Sequence, residues 1–325
     1  MTAENPNVGS AKSKAVTVIA LCFNHARFLH ECLNSIAAQS EQNFQLIVTD
    51  DCSRDDSASL IEAWLNSHRP DAIFIRHTEN AGLCKTLNEA LSHARGEFIG
   101  MIATDDVWEP DKLERQLAMM RLQSAKVAVV YSDAARIDEV GQPIEKNFIE
   151  AHSPGCKRPS GQIFAELADR NFIPAMATLI RRQALVEVGG YDERLTYEDY
   201  DMWLRMSVEY DFVYCPAVVA RYRIVANSIV RTTFVNPSAR HHHTLYLICS
   251  KWLPSKRLTS TQREAWIERL WGAAYGLYCL GDSRAKACLR RAARYSHKPR
   301  VLLLAITCSL GISRSMLKRL IGSTH

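Results

Sequence analysis

Several features are missing from this chain, and each absence removes a class of function. Its ten cysteines never form a Cys-x-x-Cys pair, which argues against a zinc ribbon or a dithiol redox motif. Scattered through 325 residues, they read as reduced thiols, mostly in the core. No Gly-x-Gly-x-x-Gly follows the first apolar run and no Gly-Lys-Ser/Thr loop occurs, so neither a typical dinucleotide fold nor a P-loop enzyme fits. The longest apolar stretch, Val301 to Ile312, falls short of the about 20 residues that span a bilayer. Residues 1–14 are polar and have no apolar core. They are expected to be a disordered leader rather than a secretory signal.

Hydrophobic residues make up 47% of the chain, enough for one large α/β domain with an appendage. The net charge of +5 conceals an asymmetry. From Lys251 onward there are 15 Lys/Arg against three Asp/Glu, a local +12, whereas the preceding 250 residues carry a net −7. An acidic body with a basic tail points to a polyanionic surface near the tail, either anionic lipid or nucleic acid. No basic motif interleaved with aromatics supports specific nucleic-acid binding.

The first hundred residues alternate between two periods. Val16 to Phe23 is a continuous apolar run, as expected of a strand covered on both faces. Phe28, Leu29, Cys32, Leu33 and Ile36 follow at helical spacing. A second strand, Phe44 to Thr49, ends at Asp50-Asp51, and Ser53 is the expected cap of the next helix, with Asp55 and Asp56 in its first turn. A third strand covers 72–76, Asn80-Ala81-Gly82 is a turn, and a helix covers 83–94. The fourth apolar run, Glu97 to Thr104, stops at Asp105-Asp106, and a helix opens at Pro110. This alternation predicts an α/β fold with a doubly wound, mostly parallel sheet and helices on both faces. Ligands of such sheets gather outside the carboxyl ends of the strands, where Asp50, Asp51, Asp105 and Asp106 all fall. Adjacent carboxylates repel, and with no glycine cradle for phosphates a divalent metal carrying a diphosphate is the natural counter-charge.

The second half is less regular. Residues 141–160 are rich in Gly and Pro, 176–188 read as a short strand and helix stopped at Gly189-Gly190, and Tyr197 to Met206 opens a helix on acidic residues. Beyond about residue 240 the pattern is helical through 261–280 and 283–295, with Pro299 as a break. His241-His242-His243 looks like a metal tract, but adjacent histidines cannot share one helix face and no carboxylate lies nearby. His25 reads as a loop or core residue rather than a ligand. Trp108 either stacks on a base or sugar or packs in the core; Asn88, like Asn80, is either a polar helix or turn group or a ligand.

Four segments in this order resemble family 2 glycosyltransferases of the GT-A fold. They are Val16 to Asn24 followed by Phe44 to Ser53, Asn80 to Asn88, Arg95 to Asp106, and Gly189 to Glu193 with Glu198 to Trp203. The resemblance covers roughly residues 15–230. It implies a leader over 1–14, a catalytic domain over 15–235 (15–106 for the nucleotide, 107–235 for the acceptor) and a basic helical region over 236–325.

The same resemblance implies transfer of a sugar from a nucleotide-sugar donor, with inversion at the anomeric carbon. Asp51 falls where the family holds the nucleoside, and Phe23, Asn80 and Asp105 fall on the donor side. Asp105 and Asp106 fall on the DxD-type metal site, Asp106 being the more direct ligand of Mn²⁺ or Mg²⁺. Asp199 falls on the general base, with Glu198 and Asp201 competing for the role. Two positions depart from the pattern: Val225 stands where many relatives carry His, and Leu87 where many carry Arg. The chemistry agrees with the residue types, because a departing nucleoside diphosphate needs a hard cation and an acceptor hydroxyl needs a base. The expected partners are a UDP-sugar and a glycan or polyprenyl-lipid-linked acceptor in surface-polysaccharide synthesis. The expected location is cytoplasmic, peripheral on the inner face of the membrane if the tail, with Leu302, Leu303, Ile306, Met316, Leu317 and Leu320 among basic residues, lies on anionic lipid. The alternative for the tail is a helical subdomain packed on the catalytic core. The alternatives for the chain are a nucleotidyltransferase, which would carry a Gly-rich basic loop where Cys22 to Ala26 stands, and a non-catalytic glycan- or membrane-binding protein on a transferase fold.

Overall fold

The computed structural model describes residues 14–145, 147–225, 237–296 and 298–310. The expected leader, apart from Lys14, and the tail residues Met316, Leu317 and Leu320 lie outside the described residues. Strands β1 (Val16–Cys22), β2 (Phe44–Asp50), β3 (Ile73–Arg76) and β4 (Phe98–Ala103) run parallel in the order β3-β2-β1-β4. Helices α1 (Leu29–Ala37), α2 (Ser57–His68) and α3 (Leu83–His93) connect them. Then come β5 (Val107–Trp108), α4 (Lys112–Arg121), β6 (Val127–Ile137), β7 (Pro143–Glu145), α5 (Phe148–His152), α6 (Phe164–Asp169), β8 (Thr178–Arg181), α7 (Arg182–Glu187), α8 (Asp199–Glu209) and β9 (Asp211–Arg223). The sheet has nine strands; beyond β4 it continues β8-β6-β9-β5, with β7 on the edge of β6. Strands β5, β7 and β8 run against the other six, so the sheet is mostly parallel, as expected.

Alternation along β1 divides the interior in two. Val16, Val18 and Ala20 face a core with Leu29, Leu33, Ile61, Trp64, Trp108 and Leu117. Ile19 faces the opposite core with Leu87, Met101, Trp203 and Phe212. The continuous apolar run of β1 thus serves both faces of one sheet. The C-terminal helices α9 (Ala239–Trp252), α10 (Ser260–Cys279), α11 (Ala285–Ala292) and α12 (Pro299–Ser309) extend the second core, to which Trp266, Leu270, Leu277 and Leu289 belong. They are therefore continuous with the catalytic half across the expected boundary at 235, as a packed subdomain is. Trp266 Nε1 donates to the Ala168 carbonyl at 2.8 Å, and Lys251 Nζ reaches Asp201 Oδ1 at 2.7 Å and Asp192 Oδ2 at 3.0 Å.

Two expectations about helix ends are corrected. Ser53 does not cap α2: its Oγ accepts from the Asn24 N–H, and the helix starts four residues later, where Asp55 Oδ1 accepts from the Ser57 N–H. Pro299 is not only a break. It occupies the first turn of α12, where its missing N–H costs nothing.

Gly96 shows why the turn into β4 tolerates no side chain. A Cβ there would lie 2.4 Å from the backbone N of Thr17 and C of Val16. Gly96→Ala should destabilise the protein by about 3 kcal/mol, because backbone rather than a flexible side chain must yield. Gly272 in α10 meets nothing within 4 Å, so Gly272→Ala should stabilise by about 1 kcal/mol through helix propensity alone. Urea denaturation of both variants checks the contrast.

Candidate active site

The site forms where β1, β2 and β4 end together. The loop after β1 carries Phe23, Asn24 and His25, β2 runs into Asp50-Asp51, and β4 into Thr104-Asp105-Asp106. In a P-loop the N–H groups after the first strand would cradle phosphate. In this chain they are already taken: the Asn24, His25 and Ala26 amides donate to Ser53 Oγ, Ser57 Oγ and Asp55 Oδ2 at 2.8, 3.1 and 3.0 Å. These three amides of a loop without glycine are therefore engaged within the protein.

Asp51 is buried, and its oxygens are filled by its own chain. Oδ1 accepts from the Ala81 N–H at 2.7 Å and lies 2.8 Å from His77 Nδ1, while Oδ2 accepts from the Gly82 N–H at 2.9 Å and Asn80 Nδ2 at 3.0 Å. Asn80 also donates to the Asp51 carbonyl at 3.1 Å. Asp51 and Asn80, both expected on the donor side, hold each other, and the pair fixes the 80–82 turn at the mouth of β2. Phe23 stands beside them at 39% exposure, an open aromatic face at the end of β1. Asn88 is spent elsewhere: its side chain clasps the backbone N–H and carbonyl of Tyr191 at 2.8 and 2.9 Å. Trp108 packs, its Nε1 donating to the Met176 carbonyl at 2.9 Å with Lys112 Nζ over its ring. Leu87 is fully buried in the core, as its apolar character requires.

Asp106 is buried and accepts from the Arg223 N–H at 2.9 Å. Burial, then the adjacent Asp105 charge, hold its carboxyl well above the usual carboxylate range, against the opposing pull of Arg223. The position of Arg223 follows from register. Because β5 pairs antiparallel with β9, Val107 facing Arg221, Arg223 comes opposite Asp105. Its Nε donates to the Asp105 carbonyl at 2.8 Å, and its guanidinium reaches Glu31 in α1 and the carbonyl of Asp138. Sequence reasoning missed Arg223, because the contact spans 118 positions and no local pattern marks it.

His25 lies in the loop after β1, as expected; its Nε2 is 3.6 Å from Asp105 Oδ2 and its Nδ1 3.1 Å from Thr104 Oγ1. Val225, where relatives carry His, follows β9 directly; among the described residues no three His, Cys, Asp or Glu side chains form a group able to hold a metal. The residues nevertheless fit Mg²⁺ or Mn²⁺, which take one or two carboxylates and fill their remaining positions with substrate phosphates and water.

Asp199 opens α8, half-buried. Its Oδ2 accepts from Asn171 Nδ2 at 2.8 Å and its Oδ1 from the Tyr200 N–H at 2.6 Å. Burial raises its pKa, and these donors oppose the rise. Its neighbour Glu198 is pushed up to about 8 by burial and then by the Asp199 charge. Asp201 drops out as a competing base: it is fully buried, bridging Arg205 at 2.8 Å and Lys251 at 2.7 Å. Burial raises the Tyr222 phenol, and the charges of Asp106, Asp105 and Asp199 add to the rise against the opposing Arg136. His241 packs against Tyr197 with ring centroids 5.9 Å apart, and burial, then His242, lower its pKa to about 4. The histidine tract is thus a packing element.

Residues 17–189 match the profile of glycosyl transferase family 2. The chain is 26% identical over 228 residues to an uncharacterized glycosyltransferase of Rickettsia prowazekii, covering 68% of this chain and 67% of that protein. It spans 61% of a Rickettsia typhi relative and about a third of a longer Rickettsia felis one. It is 26% identical over 216 residues to TuaG of Bacillus subtilis, a glycosyltransferase assigned by name to teichuronic acid biosynthesis, covering 66% of this chain and 81% of TuaG. Among solved structures, S. aureus TarS 1-349 in complex with UDP-GlcNAc aligns with a TM-score of 0.59 at 17% identity, over 91% of this chain and 92% of that one. The Pyrobaculum calidifontis mannosyltransferase PcManGT, in complex with GDP-Man and Mn²⁺, aligns with a TM-score of 0.57 at 19% identity, over 95% and 83%. At these identities the likeness establishes the GT-A fold.

Arg223→Lys keeps the charge but loses the planar fork that joins four segments. It should cost about 2–3 kcal/mol of stability, the worth of charged hydrogen bonds left unmade. Equilibrium urea denaturation measures it, and a loss under 0.5 kcal/mol on that scale would show that the clasp does not bear on folding.

Proposed function

The chain belongs to glycosyl transferase family 2, and we propose that it is an inverting transferase that moves a sugar from a nucleotide-sugar donor to a hydroxyl of a glycan or lipid-linked acceptor. The reading is supported most by one observation: in a chain whose residues 17–189 match this family, β4 runs straight into the Asp105-Asp106 pair, with Asp106 buried and held by the Arg223 N–H. The leading donor is a UDP-sugar, and the leading context is surface-polysaccharide synthesis, in keeping with the name of the B. subtilis relative.

Asp106, with Asp105, would hold Mn²⁺ or Mg²⁺, which when bound neutralises and orients the donor's pyrophosphate. Phe23 offers its ring to the base, and Asp51 with Asn80 fixes the 80–82 turn against which the nucleoside rests. Asp199 takes the proton of the acceptor hydroxyl as that oxygen attacks the anomeric carbon. The bond from that carbon to the phosphate oxygen breaks in the same step, and the nucleoside diphosphate leaves with the electron pair. Asn171 and the Tyr200 N–H orient the Asp199 carboxylate while leaving lone pairs for the hydroxyl. Base and leaving group on opposite faces of the sugar give inversion. Glu198, which keeps its proton to about pH 8, adds no second charge beside the base at neutral pH.

A donor-hydrolysis panel with Mn²⁺ tests the acidic pair: Asp106→Ala should lose about a hundredfold or more in turnover, and unchanged turnover would refute the assignment. Asp199→Asn should bind donor normally in titration calorimetry yet lose about 10²–10⁴ in transfer, the range for a general base. The base works ionised, so the transfer rate should rise with pH through an apparent pKa above the ordinary Asp value of about 3.9. Asn171→Ala removes a hydrogen bond that favours the ionised form, so it should move that acidic limb to higher pH. A limb that stays in place in the pH–rate profile would count against Asp199 as the group it reports.

A further inference from the structure

Helix α12 is amphipathic in the wrong sense for a helix facing water. Ala305 is buried, and Leu304 and Cys308 pack against the core. The opposite side exposes Leu302 at 41%, Leu303 at 64% and Ile306 at 57%, and Leu310 just past the helix end at 72%. At about 100° per residue these four side chains fall within one arc of roughly 100°. An exposed contiguous apolar stripe of this kind marks an interaction surface rather than ordinary solvated surface.

The stripe has a basic border. The preceding helix α11 buries Ala285, Cys288, Leu289 and Ala292 and turns Lys286, Arg290 and Arg291 to solvent, followed by exposed Arg294. No ion pair joins any of these four cations to a carboxylate among the described residues, whereas Lys298 at the start of α12 pairs with Glu268. Helix α11 packs against α12, so the cation-bearing helix adjoins the apolar one. Charge and hydrophobicity therefore meet at the end of the described chain, in the region that carries 15 of its 40 basic residues and three of its 35 acidic ones.

We propose that α11 and α12 form a docking surface for an anionic phospholipid bilayer, with the leucine stripe entering the interface and the α11 cations over the headgroups. The class of partner follows from complementarity. A two-dimensional anionic surface with an apolar layer beneath satisfies both halves of the patch, whereas a nucleic acid satisfies only the cations and an apolar protein groove only the stripe. The mode is interfacial: no described helix is long and apolar enough to cross a membrane. The surface is separate from the donor and base carboxylates, so its loss leaves their chemistry in place.

Vesicle flotation of the full chain tests this. Vesicles containing phosphatidylglycerol should bind it about tenfold or more tightly than pure phosphatidylcholine vesicles, given four cations near the surface. That preference should shrink in high salt. Leu303→Glu with Ile306→Glu, both at exposed positions, should reduce binding at least about tenfold by placing charge in the apolar layer. Arg290→Glu with Arg291→Glu should abolish the anionic preference. Circular dichroism melts and donor hydrolysis should be unchanged in both double variants. The proposal is overturned if the protein ignores both vesicle types, or binds them equally. It is equally overturned if it binds an RNA oligomer through the same cations with no vesicle binding, or if light scattering finds a dimer that Leu303→Glu with Ile306→Glu dissociates.

Discussion

Everything at the mouth of the sheet hangs on one buried guanidinium. Arg223, 2% exposed, ends β9 and holds the turn after β4, the Asp138 carbonyl beyond β6 and Glu31 in α1. A planar fork with five donors suits a junction of several acceptors in a way a point charge on a flexible stem does not. Its own backbone N–H holds Asp106 at the same time. The chain thus places a fixed positive charge beneath two adjacent carboxylates, enough to tether them and too little to neutralise them. Burial and mutual repulsion still raise Asp106, an imbalance that the proposed cation would relieve.

The rest of the architecture delivers the acceptor side to that point. The fixed register of β5 on β9 brings Tyr222 and Arg223 back to the end of β4. Helix α8 carries Asp199 and is held from behind, where Asp201 binds Arg205 and Lys251 and Arg205 also reaches the carbonyls of Val188 and Gly190. Lys251 belongs to α9, so the C-terminal helices brace the helix that carries Asp199. Burying an ion pair is worthwhile where it fixes position rather than where it adds stability, since desolvation offsets much of the attraction.

What the sequence disclosed was the local part. Four apolar runs marked the strands, because in a parallel sheet burial on both faces leaves a continuous signature and the first polar residue marks the exit, and two of them run into adjacent acids. Asp50-Asp51 and Asp105-Asp106 were legible for this reason, whereas Asn80 and Asp199 were reached through the family resemblance. Arg223, Asn171 and His25 were not, since each acts through a partner 28 to 118 positions away and an isolated Arg, Asn or His carries no period. The misplaced cap at Ser53 has a related cause. Its hydroxyl was taken by the amide of Asn24, 29 residues earlier, a tertiary demand that overrode a local preference.

The site holds two pairs of neighbouring carboxyl groups, and it resolves their repulsion in two different ways. At Asp105-Asp106 the Arg223 N–H holds the Asp106 carboxylate and its guanidinium the Asp105 carbonyl, while His25 Nε2 lies 3.6 Å from the Asp105 carboxylate, and the proposed cation would supply the remaining counter-charge. At Glu198-Asp199 the asymmetry is internal. Asp199 has Asn171 and the Tyr200 N–H to stabilise its ionised form, whereas Glu198, facing burial and its neighbour's charge, keeps its proton to about pH 8. The hydrogen bonds thus favour ionisation of Asp199 over that of Glu198, the asymmetry that the proposed base role of Asp199 would use. Two carboxylates that share a site ordinarily compete for the same role. Unequal hydrogen bonding in one pair and an incomplete counter-charge in the other give the two pairs different electrostatics, and the proposed reaction would use the first to accept a proton and the second to hold a cation against the departing diphosphate.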